Sequence, residues 1–314
     1  MNKKRVYLIT GATGFIGSCL LRRLIDENKN THILLRRGAK MWRISDLIQD
    51  TNVHFSDFSD AANLSKIMKM VKPDIIYHLA TYGAYSSQDE ADLCVKTNII
   101  GTWNLLKSTS NIDYELFVNT GSSSEYGFKK SPMKESDCLD PASYYAVTKC
   151  SQTLLCSYFA KENRKPIITL RPFSVYGPYE DKNRFIPTLL KALYLHRKMN
   201  LVSPNISRDW VHINDMVDAY LLINKLKKYG GEVFNIGTGV QKTVKQVVSL
   251  ASRVTRKKCD LCWNKMENRK WDTDYWLADI SKTKKLLGWE PHISLYDGLF
   301  LTWEWFKENL SYYS

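Results

Sequence analysis

Three closely spaced glycines separate the first apolar segment of the chain, residues 5–10, from its first helical pattern, residues 15–28. Glycines at a strand–helix junction permit a tight turn, a close approach of the backbone to a pyrophosphate, and close packing of the helix on the strand. The free N–H groups of the helix N-terminus then face the phosphates. We therefore predict a dinucleotide-binding site that contains Gly11, Thr13, Gly14, Phe15, Ile16 and Gly17.

Short apolar runs continue to alternate with longer helical patterns through the first half of the chain. Further strands are predicted at 32–35, 53–55, 74–79, 116–119 and 166–170, and helices at 62–71, 90–108 and 141–162. This rhythm predicts an α/β fold, a Rossmann-like doubly wound parallel sheet with helices on both faces.

The pattern changes after Arg171, where prolines interrupt it and the helical pieces become shorter. We expect a dinucleotide-binding domain over residues 1–170, with return segments near 210–237. A smaller mixed α/β lobe over residues 171–314 is expected to bind the substrate.

Charge and composition exclude several classes of protein. The net charge is +13, but no nucleic-acid-binding motif accompanies it, so we expect solvated basic surfaces and no nucleic-acid partner. No apolar run approaches the ~18 residues of a membrane-spanning helix. The seven cysteines are scattered and odd in number, which indicates reduced thiols and a cytoplasmic location. No metal site is predicted.

Tyr145 and Lys149 lie four residues apart in the helical pattern 141–162, so they share one face. An ammonium group beside a phenol lowers the phenol pKa from its ordinary value near ~10. Such a tyrosine exchanges a proton with a substrate oxygen near neutral pH, and a hydroxyl from the preceding run Ser122–Ser124 can polarise the same oxygen. The dinucleotide site supplies the hydride partner that this chemistry needs.

The second predicted strand ends in Arg36 and Arg37, about twenty residues after the glycines, where NAD-binding chains carry an acidic residue. Arginine accommodates the 2′-phosphate of NADP instead. We therefore expect NADP(H), with NAD as the alternative cofactor. Asp57 and its neighbour Phe58 follow the third predicted strand and are expected to approach the adenine.

Together these motifs resemble the extended short-chain dehydrogenase/reductases, a family of nucleotide-sugar epimerases, dehydratases and 4-ketoreductases. The resemblance covers nearly the whole chain, and it includes His78-Leu79-Ala80, Thr97-Asn98, Arg171–Pro178, Arg208–Asp215 and Leu287–Pro291.

The resemblance implies a role for individual residues. Tyr145 is the implied acid/base, and Lys149 holds the nicotinamide ribose. Ser122, or Ser123 after a shift of one place, binds the reacting sugar oxygen. Leu79, Ala80 and Asn98 join the cofactor site, whereas a nucleotide-diphosphate sugar is bound by Ser124, Arg184, Arg208 and Arg269.

Three reactions of this family begin from the same tyrosine. A 4,6-dehydratase needs acidic side chains at the places of Ser123 and Ser124, and Glu125 is one position off and expected to point the other way. A 4-epimerase retains NAD, whereas Arg36 and Arg37 favour NADPH. We predict an NADPH-dependent reductase of a nucleotide-linked 4-keto-6-deoxy sugar in polysaccharide biosynthesis. The alternatives are an NAD-dependent 4-epimerase and, less favoured, a dehydratase or a non-enzymatic dinucleotide sensor.

The helical patterns 90–108 and 141–162 carry more apolar positions than one core-facing stripe requires. In the second pattern two apolar rows are predicted, one of Cys150, Leu154 and Tyr158 and one of Val147, Leu155 and Phe159. One row can face the sheet and the other a partner, so we predict a homodimer through these helices. Extra burial within the monomer would explain the same pattern.

Overall fold

The computed structural model describes residues 4–85, 87–267 and 273–313. The chain divides into two compact units. Unit 1 comprises Met1–Gly127, Leu139–Arg171 and Val217–Phe234. Unit 2 comprises Phe128–Cys138, Pro172–Met216 and Asn235–Ser314.

The secondary-structure elements follow in chain order. The strands are β1 (Val6–Thr10), β2 (Asn30–Leu35), β3 (Asn52–Phe55), β4 (Ile75–His78), β5 (Leu116–Thr120), β6 (Ile167–Pro172), β7 (Ser174–Tyr176), β8 (Met199–Asn200), β9 (Ser207–His212), β10 (Val233–Ile236), β11 (Gln241–Thr243) and β12 (Leu261–Cys262). The helices are α1 (Phe15–Asp26), α2 (Ala61–Val71), α3 (Ala91–Cys94), α4 (Gly101–Ser108), α5 (Tyr144–Asn163), α6 (Phe185–Leu195), α7 (Ile213–Tyr220), α8 (Ile223–Leu226), α9 (Val244–Thr255), α10 (Ser281–Leu287) and α11 (Leu295–Glu308).

Unit 1 is built on a sheet with the strand order β10-β6-β5-β4-β1-β2-β3. Strand β1 pairs in parallel with β2 and β4, and parallel pairing continues from β2 to β3 and from β4 through β5 to β6. Successive residues of β4 and β5 are all buried, so both faces of the sheet are covered, as their mainly apolar sequences predict. The predicted Rossmann-like α/β fold is confirmed.

The core of unit 1 joins the sheet to its helices. Leu8 and Phe117 from the strands belong to one apolar cluster with Leu105 from α4 and Phe159 from α5. All four side chains are buried. Removing such side chains from water contributes about 25 cal/mol per Å² of apolar surface, so burial of this cluster stabilises the packing of the helices on the sheet.

The helical pattern predicted over 90–108 is interrupted in the structure. Helices α3 and α4 are joined by a π-helical turn at Val95–Ile100, and Asn98 within that turn is fully buried. Such turns occur frequently at functional sites, and no sequence period indicates them. The helix predicted from residue 141 begins at Tyr144, because the Ser143 side chain caps it by accepting a hydrogen bond from the N–H of Ala146.

Unit 2 contains a sheet with the order β11-β9-β7 and a two-stranded pair of β8 and β12. Strand β9 runs antiparallel to β11 and parallel to β7. Its core includes Leu189 from α6, Val247 from α9, and Trp303 and Phe306 from α11. Among the described residues of both units, no helix is long and apolar enough to cross a membrane.

Phe117 tests the account of the unit 1 core. Its side chain on β5 is fully buried, so Phe117→Ala is expected to lower the free energy of unfolding by about 3–5 kcal/mol through lost transfer energy and a residual cavity. Phe55→Ala, on β3, is the control, because Phe55 is 49% exposed and its truncation should change that free energy by less than about 0.5 kcal/mol. Urea unfolding measures both variants, and equal losses would contradict the assignment of this core.

Candidate active site

The glycine turn after β1 has the geometry of a phosphate cradle. The N–H of Gly14 donates to the carbonyl of Gly11 over 3.0 Å, and Gly11 adopts a φ of +74°. A β-carbon on Gly11 would lie 2.5 Å from the backbone nitrogen of Ala80, and one on Gly17 would lie 2.3 Å from the Gly11 oxygen. Only glycine therefore fits either position without moving the backbone.

The first turn of α1 is open to an anion. Its N-cap residue, Gly14, supplies no side-chain cap, and the first turn contains no acidic residue. The N–H groups at the start of a helix have no partner within the helix, so they and the helix dipole favour a phosphate here. Thr13, Phe15 and Ile16 are half-buried in this segment, as a contact surface for a dinucleotide requires. These residues fit the pyrophosphate of NAD or NADP.

Strand β4 ends against the same turn. The N–H of Leu79 donates to the Thr10 carbonyl over 3.1 Å, and the N–H of Ala80 donates to the Thr10 hydroxyl over 3.3 Å. Leu79 and Ala80 are thus held beside Gly11, and their contact with a cofactor stays a prediction of the family resemblance.

Three arginines follow β2 within a few residues, and they differ in burial. Arg36 and Arg37 are exposed directly after the strand. Arg43, which the sequence did not identify as a site residue, is only 6% exposed. Its guanidinium carbon lies 4.2 Å from the centroid of the Trp42 ring, and its Nη1 donates a hydrogen bond to the Thr13 carbonyl over 3.3 Å. The only signal in the sequence was an arginine in the loop after β2.

Asp57 and Phe58 occupy different surroundings. The exposed Asp57 carboxylate accepts hydrogen bonds from the N–H and hydroxyl of Ser59, and these bonds lower its pKa below the ordinary value. Phe58 is half-buried, with its ring centroid 5.7 Å from that of His78. Phe58 therefore packs toward the end of β4, while Asp57 remains accessible at the end of β3.

The serine run after β5 forms a 3-10 turn at Ser123–Tyr126. The hydroxyls of Ser122 and Ser124 lie 2.7 Å apart, and both residues are partly exposed. Ser123 is only 6% exposed, so it does not share their surface. Of the two serines considered for the sugar oxygen, Ser122 is the partly exposed one, and its hydroxyl contacts that of Ser124.

Lys149 connects α5 to the end of β5. Its ammonium group is buried and donates to the carbonyl of Thr120 over 2.5 Å and to Oε1 of Gln152 over 2.6 Å. Thr120 lies two residues before Ser122, and Tyr145 lies one turn before Lys149 on α5. Burial lowers the pKa of Lys149 to about 8, so the group is mainly cationic at neutral pH.

A buried polar chain continues from Lys149 to the glycine turn. Gln152 Nε2 donates to the Thr102 hydroxyl over 3.0 Å, His78 Nε2 lies 2.9 Å from the same hydroxyl, and His78 Nδ1 lies 2.7 Å from the Thr10 hydroxyl. Burial lowers the pKa of His78 to about 3, so its ring is neutral.

The hydrogen-bond partners fix the tautomer of that ring. The Thr102 hydroxyl donates its proton to the Asn98 carbonyl over 2.7 Å, so it can only accept from His78. His78 is therefore protonated at Nε2 and accepts at Nδ1 from Thr10. The sequence did not identify Gln152 and Thr102 as residues that support Lys149. For Gln152 a signal was available, because it lies three residues after Lys149 on the same helix.

The Asn98 side chain is hydrogen-bonded to the loop after β4 and to α5. Its Oδ1 accepts from the N–H of Tyr82 and the hydroxyl of Thr81, and its Nδ2 donates to the Tyr82 carbonyl and the Thr148 hydroxyl, over 2.8–3.0 Å. Two donors and two acceptor positions are thereby used. The side chain orders this loop rather than presenting a polar group to a cofactor.

In unit 2, Arg208 lies on β9 and is half-buried. Its Nη1 donates to the carbonyls of Ser207 and Thr273, and its guanidinium carbon lies 5.5 Å from the Trp276 ring centroid. Arg184 is the half-buried residue before α6. Arg269 lies outside the described residues.

Asp209 stabilises the strand that carries Arg208. Its buried carboxylate accepts from the N–H groups of Thr238, Gly239 and Ala278 and from the Thr238 hydroxyl, over 2.6–3.1 Å. Four donors on one carboxylate hold β9 against two other segments of unit 2. Sequence reasoning assigned Asp209 no role of its own.

Comparison with known proteins identifies similar chains across nearly the full length. The model of the NAD dependent epimerase/dehydratase family matches residues 7–237. UDP-glucuronate 4-epimerase of Thermodesulfobacterium geofontis is 31% identical, with 97% of each chain covered.

Two solved structures have closely similar folds. The UDP-glucose 4-epimerase of Thermotoga maritima, solved with UDP-glucose, gives a TM-score of 0.88 at 28% identity, covering 97% of this chain and 99% of that one. The UDP-glucuronic acid 4-epimerase of Bacillus cereus, solved with UDP-glucuronic acid and NAD, gives a TM-score of 0.86 at 28% identity, again covering 97% of this chain and 99% of that one. The latter holds NAD, so the expectation of NADP(H) gains no support from these relatives.

The buried ammonium of Lys149 predicts a pH dependence of stability. Its pKa is about 8 in the folded chain and near ~10.4 when unfolded, so the unfolded chain binds more protons between these values. The contribution of Lys149 to stability is therefore lowest below pH 8 and rises, by about 3 kcal/mol in total, as the pH increases through this window.

Urea unfolding of the cofactor-free protein and of Lys149→Met at pH 7 and pH 10 measures this effect. The difference in unfolding free energy between wild type and variant should shift in favour of wild type at the higher pH. A difference that stays constant would contradict a buried, pKa-lowered Lys149.

Proposed function

Because the chain belongs to the NAD dependent epimerase/dehydratase family, within the extended short-chain dehydrogenase/reductases, we propose that it is an NAD-dependent 4-epimerase of a UDP-sugar. The 4-epimerases at 31% and 28% identity support this function. These relatives favour the 4-epimerase, which the sequence left as the alternative, over the NADPH-dependent 4-ketoreductase that it preferred. The main structural support is the contact of Lys149 with the Thr120 carbonyl, which brings the tyrosine–lysine helix to the strand end that Ser122 follows.

The residues of unit 1 supply the acid–base part of such a reaction. Gly11, Gly14 and Gly17 would hold NAD at the glycine turn, and the bound nicotinamide would supply reversible hydride transfer at C4 of the sugar. Tyr145, as the phenolate, would take the proton of the C4 hydroxyl, hold it as the phenol while C4 is a ketone, and then give it back. The Lys149 charge would stabilise the phenolate before the first step and after the last. The Ser122 hydroxyl would hydrogen-bond to the same sugar oxygen, with Ser124 fixing its orientation.

Dehydration is disfavoured by the environment of the serine turn. Ser123 is buried, and the Ser124 hydroxyl is hydrogen-bonded to Ser122. Glu125, the one acid in this segment, is fully buried and paired with Arg171. A 4,6-dehydratase needs an accessible acid and base near C5, and this turn offers neither.

A second candidate, the NADPH-dependent 4-ketoreductase, is favoured by one observation. Arg36 and Arg37 are exposed at the end of β2, where an NAD-specific site carries a carboxylate for the ribose hydroxyls. A guanidinium there suits a 2′-phosphate. The identity of the retained dinucleotide therefore separates the two candidates.

The functional test uses the purified protein without added cofactor. Mass spectrometry of the dinucleotide released on denaturation should find NAD. Proton NMR should show UDP-glucose, UDP-glucuronic acid or UDP-N-acetylglucosamine converting to its C4 epimer. Absence of epimerisation, together with NADPH oxidation by a nucleotide-linked 4-keto sugar, would establish the reductase instead.

Tyr145→Phe is expected to lower kcat about 10²- to 10⁴-fold, because it removes the acid/base hydroxyl. Tyr144→Phe is the matched control, since Tyr144 is adjacent and 68% exposed. Its activity should equal that of wild type. Undiminished turnover in Tyr145→Phe would exclude the acid/base role.

We also propose a homodimer, now with a defined surface. On α5, Val147, Leu154 and Tyr158 are 45%, 61% and 66% exposed, and they recur at helical spacing on one face. Cys150 and Phe159 are buried. The exposed stripe therefore combines Leu154 and Tyr158 from the first predicted row with Val147 from the second. An apolar stripe of this size on an outer helix is a candidate subunit interface.

Leu154→Glu is expected to convert the dimer to a monomer, because it places a charge within the apolar stripe. Met70→Glu on α2 is the control, since Met70 is 62% exposed outside the stripe. Light scattering coupled to size-exclusion chromatography gives the masses. A wild-type monomer, or an unchanged Leu154→Glu dimer, would refute this interface.

A further inference from the structure

Glu125 forms a buried ion pair directly beneath the serine turn. Its side chain is 0% exposed, and its Oε2 accepts from Nε of Arg171 over 2.9 Å and from Nη2 over 2.8 Å. Arg171, on β6, is 3% exposed. A pair this deeply buried is costly to desolvate and is weak evidence of stabilisation by itself, so the other contacts of Glu125 are the better guide to its role.

The second carboxylate oxygen reaches the residues of the candidate site. Oε1 of Glu125 accepts from the N–H of Ser122 over 2.7 Å and from the hydroxyl of Thr153 over 3.1 Å. Ser122 is partly exposed at the start of the serine turn, and Thr153 lies on α5 one turn after Lys149. One carboxylate thus connects the serine turn, α5 and β6.

The arrangement requires a planar anion at this position. All four contacts on Glu125 come from donors, so the carboxylate is the form that satisfies them. Burial raises the pKa of Glu125, and the charge of Arg171 opposes that shift. Gly121 leaves room for it, since a β-carbon there would lie 2.6 Å from Oε1.

We propose that Glu125, paired with Arg171, is a positioning residue that fixes Ser122 against α5, so that the Ser122 hydroxyl and the Tyr145 phenol address the same substrate oxygen. This inference rests on the proposed function. Glu125 acts through Ser122 and does not itself touch the substrate. The sequence suggested that Glu125 points away from the serines beside it, by alternation along an extended segment. The segment is instead a 3-10 turn, and Glu125 is buried against Arg171.

Glu125→Gln tests the proposal, because the amide keeps the size of the side chain but replaces one acceptor with a donor facing Arg171. We expect kcat for epimerisation to fall about 10- to 100-fold, since small misplacements of catalytic groups have effects of this size. KM and the content of bound NAD should change little. Arg171→Lys keeps the charge but loses one of the two nitrogens that contact Glu125, so it should lower kcat by a smaller factor.

A double-mutant cycle with Ser122→Ala distinguishes positioning from a general structural role. If Glu125 acts through Ser122, Glu125→Gln should lower kcat in the wild-type background and have no further effect in Ser122→Ala. Equal fold-losses in both backgrounds would overturn the proposal.

A crystal structure of Glu125→Gln gives a readout that is independent of activity. We expect the contact between the Ser122 and Ser124 hydroxyls to be displaced in it, and an unmoved Ser122 would also overturn the proposal.

Glu115→Gln is the matched control. Glu115 forms a bidentate pair with Arg5, with both distances 2.8 Å, but these side chains are 35% and 37% exposed. Its kcat should equal that of wild type. A wild-type protein that epimerises no UDP-sugar refutes the proposed function, whereas an active wild type with an equally active, folded Glu125→Gln refutes only the positioning role.

Discussion

The contact between the Lys149 ammonium and the Thr120 carbonyl joins the two elements from which the candidate site is made. It brings α5, with Tyr145, to the end of β5, where the serine turn begins. The charge survives burial because Thr120 and Gln152 accept two of its three N–H bonds. The Gln152–Thr102–His78–Thr10 chain then ties this helix to the glycine turn, so the predicted proton and hydride partners are held in one rigid frame.

The sequence predicted the sheet, the glycine turn and the tyrosine–lysine pair because each has a local signature. Apolar runs of strand length define the buried parallel strands, and the spacing of four residues places Tyr145 and Lys149 on one face. The supporting residues have no such signature. His78 and Thr102 act through contacts between segments distant in sequence, and the π-helical turn that buries Asn98 breaks the period on which prediction depends.

Glu125 shows the same limit more sharply. Alternation along an extended segment indicated a side chain pointing away from its neighbours, and in the structure it is buried against Arg171. The sequence contained no sign that an arginine 46 positions later would meet it. The arginines after β2 are the opposite case, since a local rule favoured NADP(H) whereas a relative that matches nearly the whole chain holds NAD.

The central claim is that hydride leaves C4 of the sugar and returns to C4 of the same molecule. A UDP-sugar substrate deuterated at C4 tests it most directly, with the product analysed by NMR and mass spectrometry and no reductant added. The account predicts a C4-epimerised product that retains the deuterium at C4. A product that forms only with added NADPH, or one that has lost the deuterium, would contradict it.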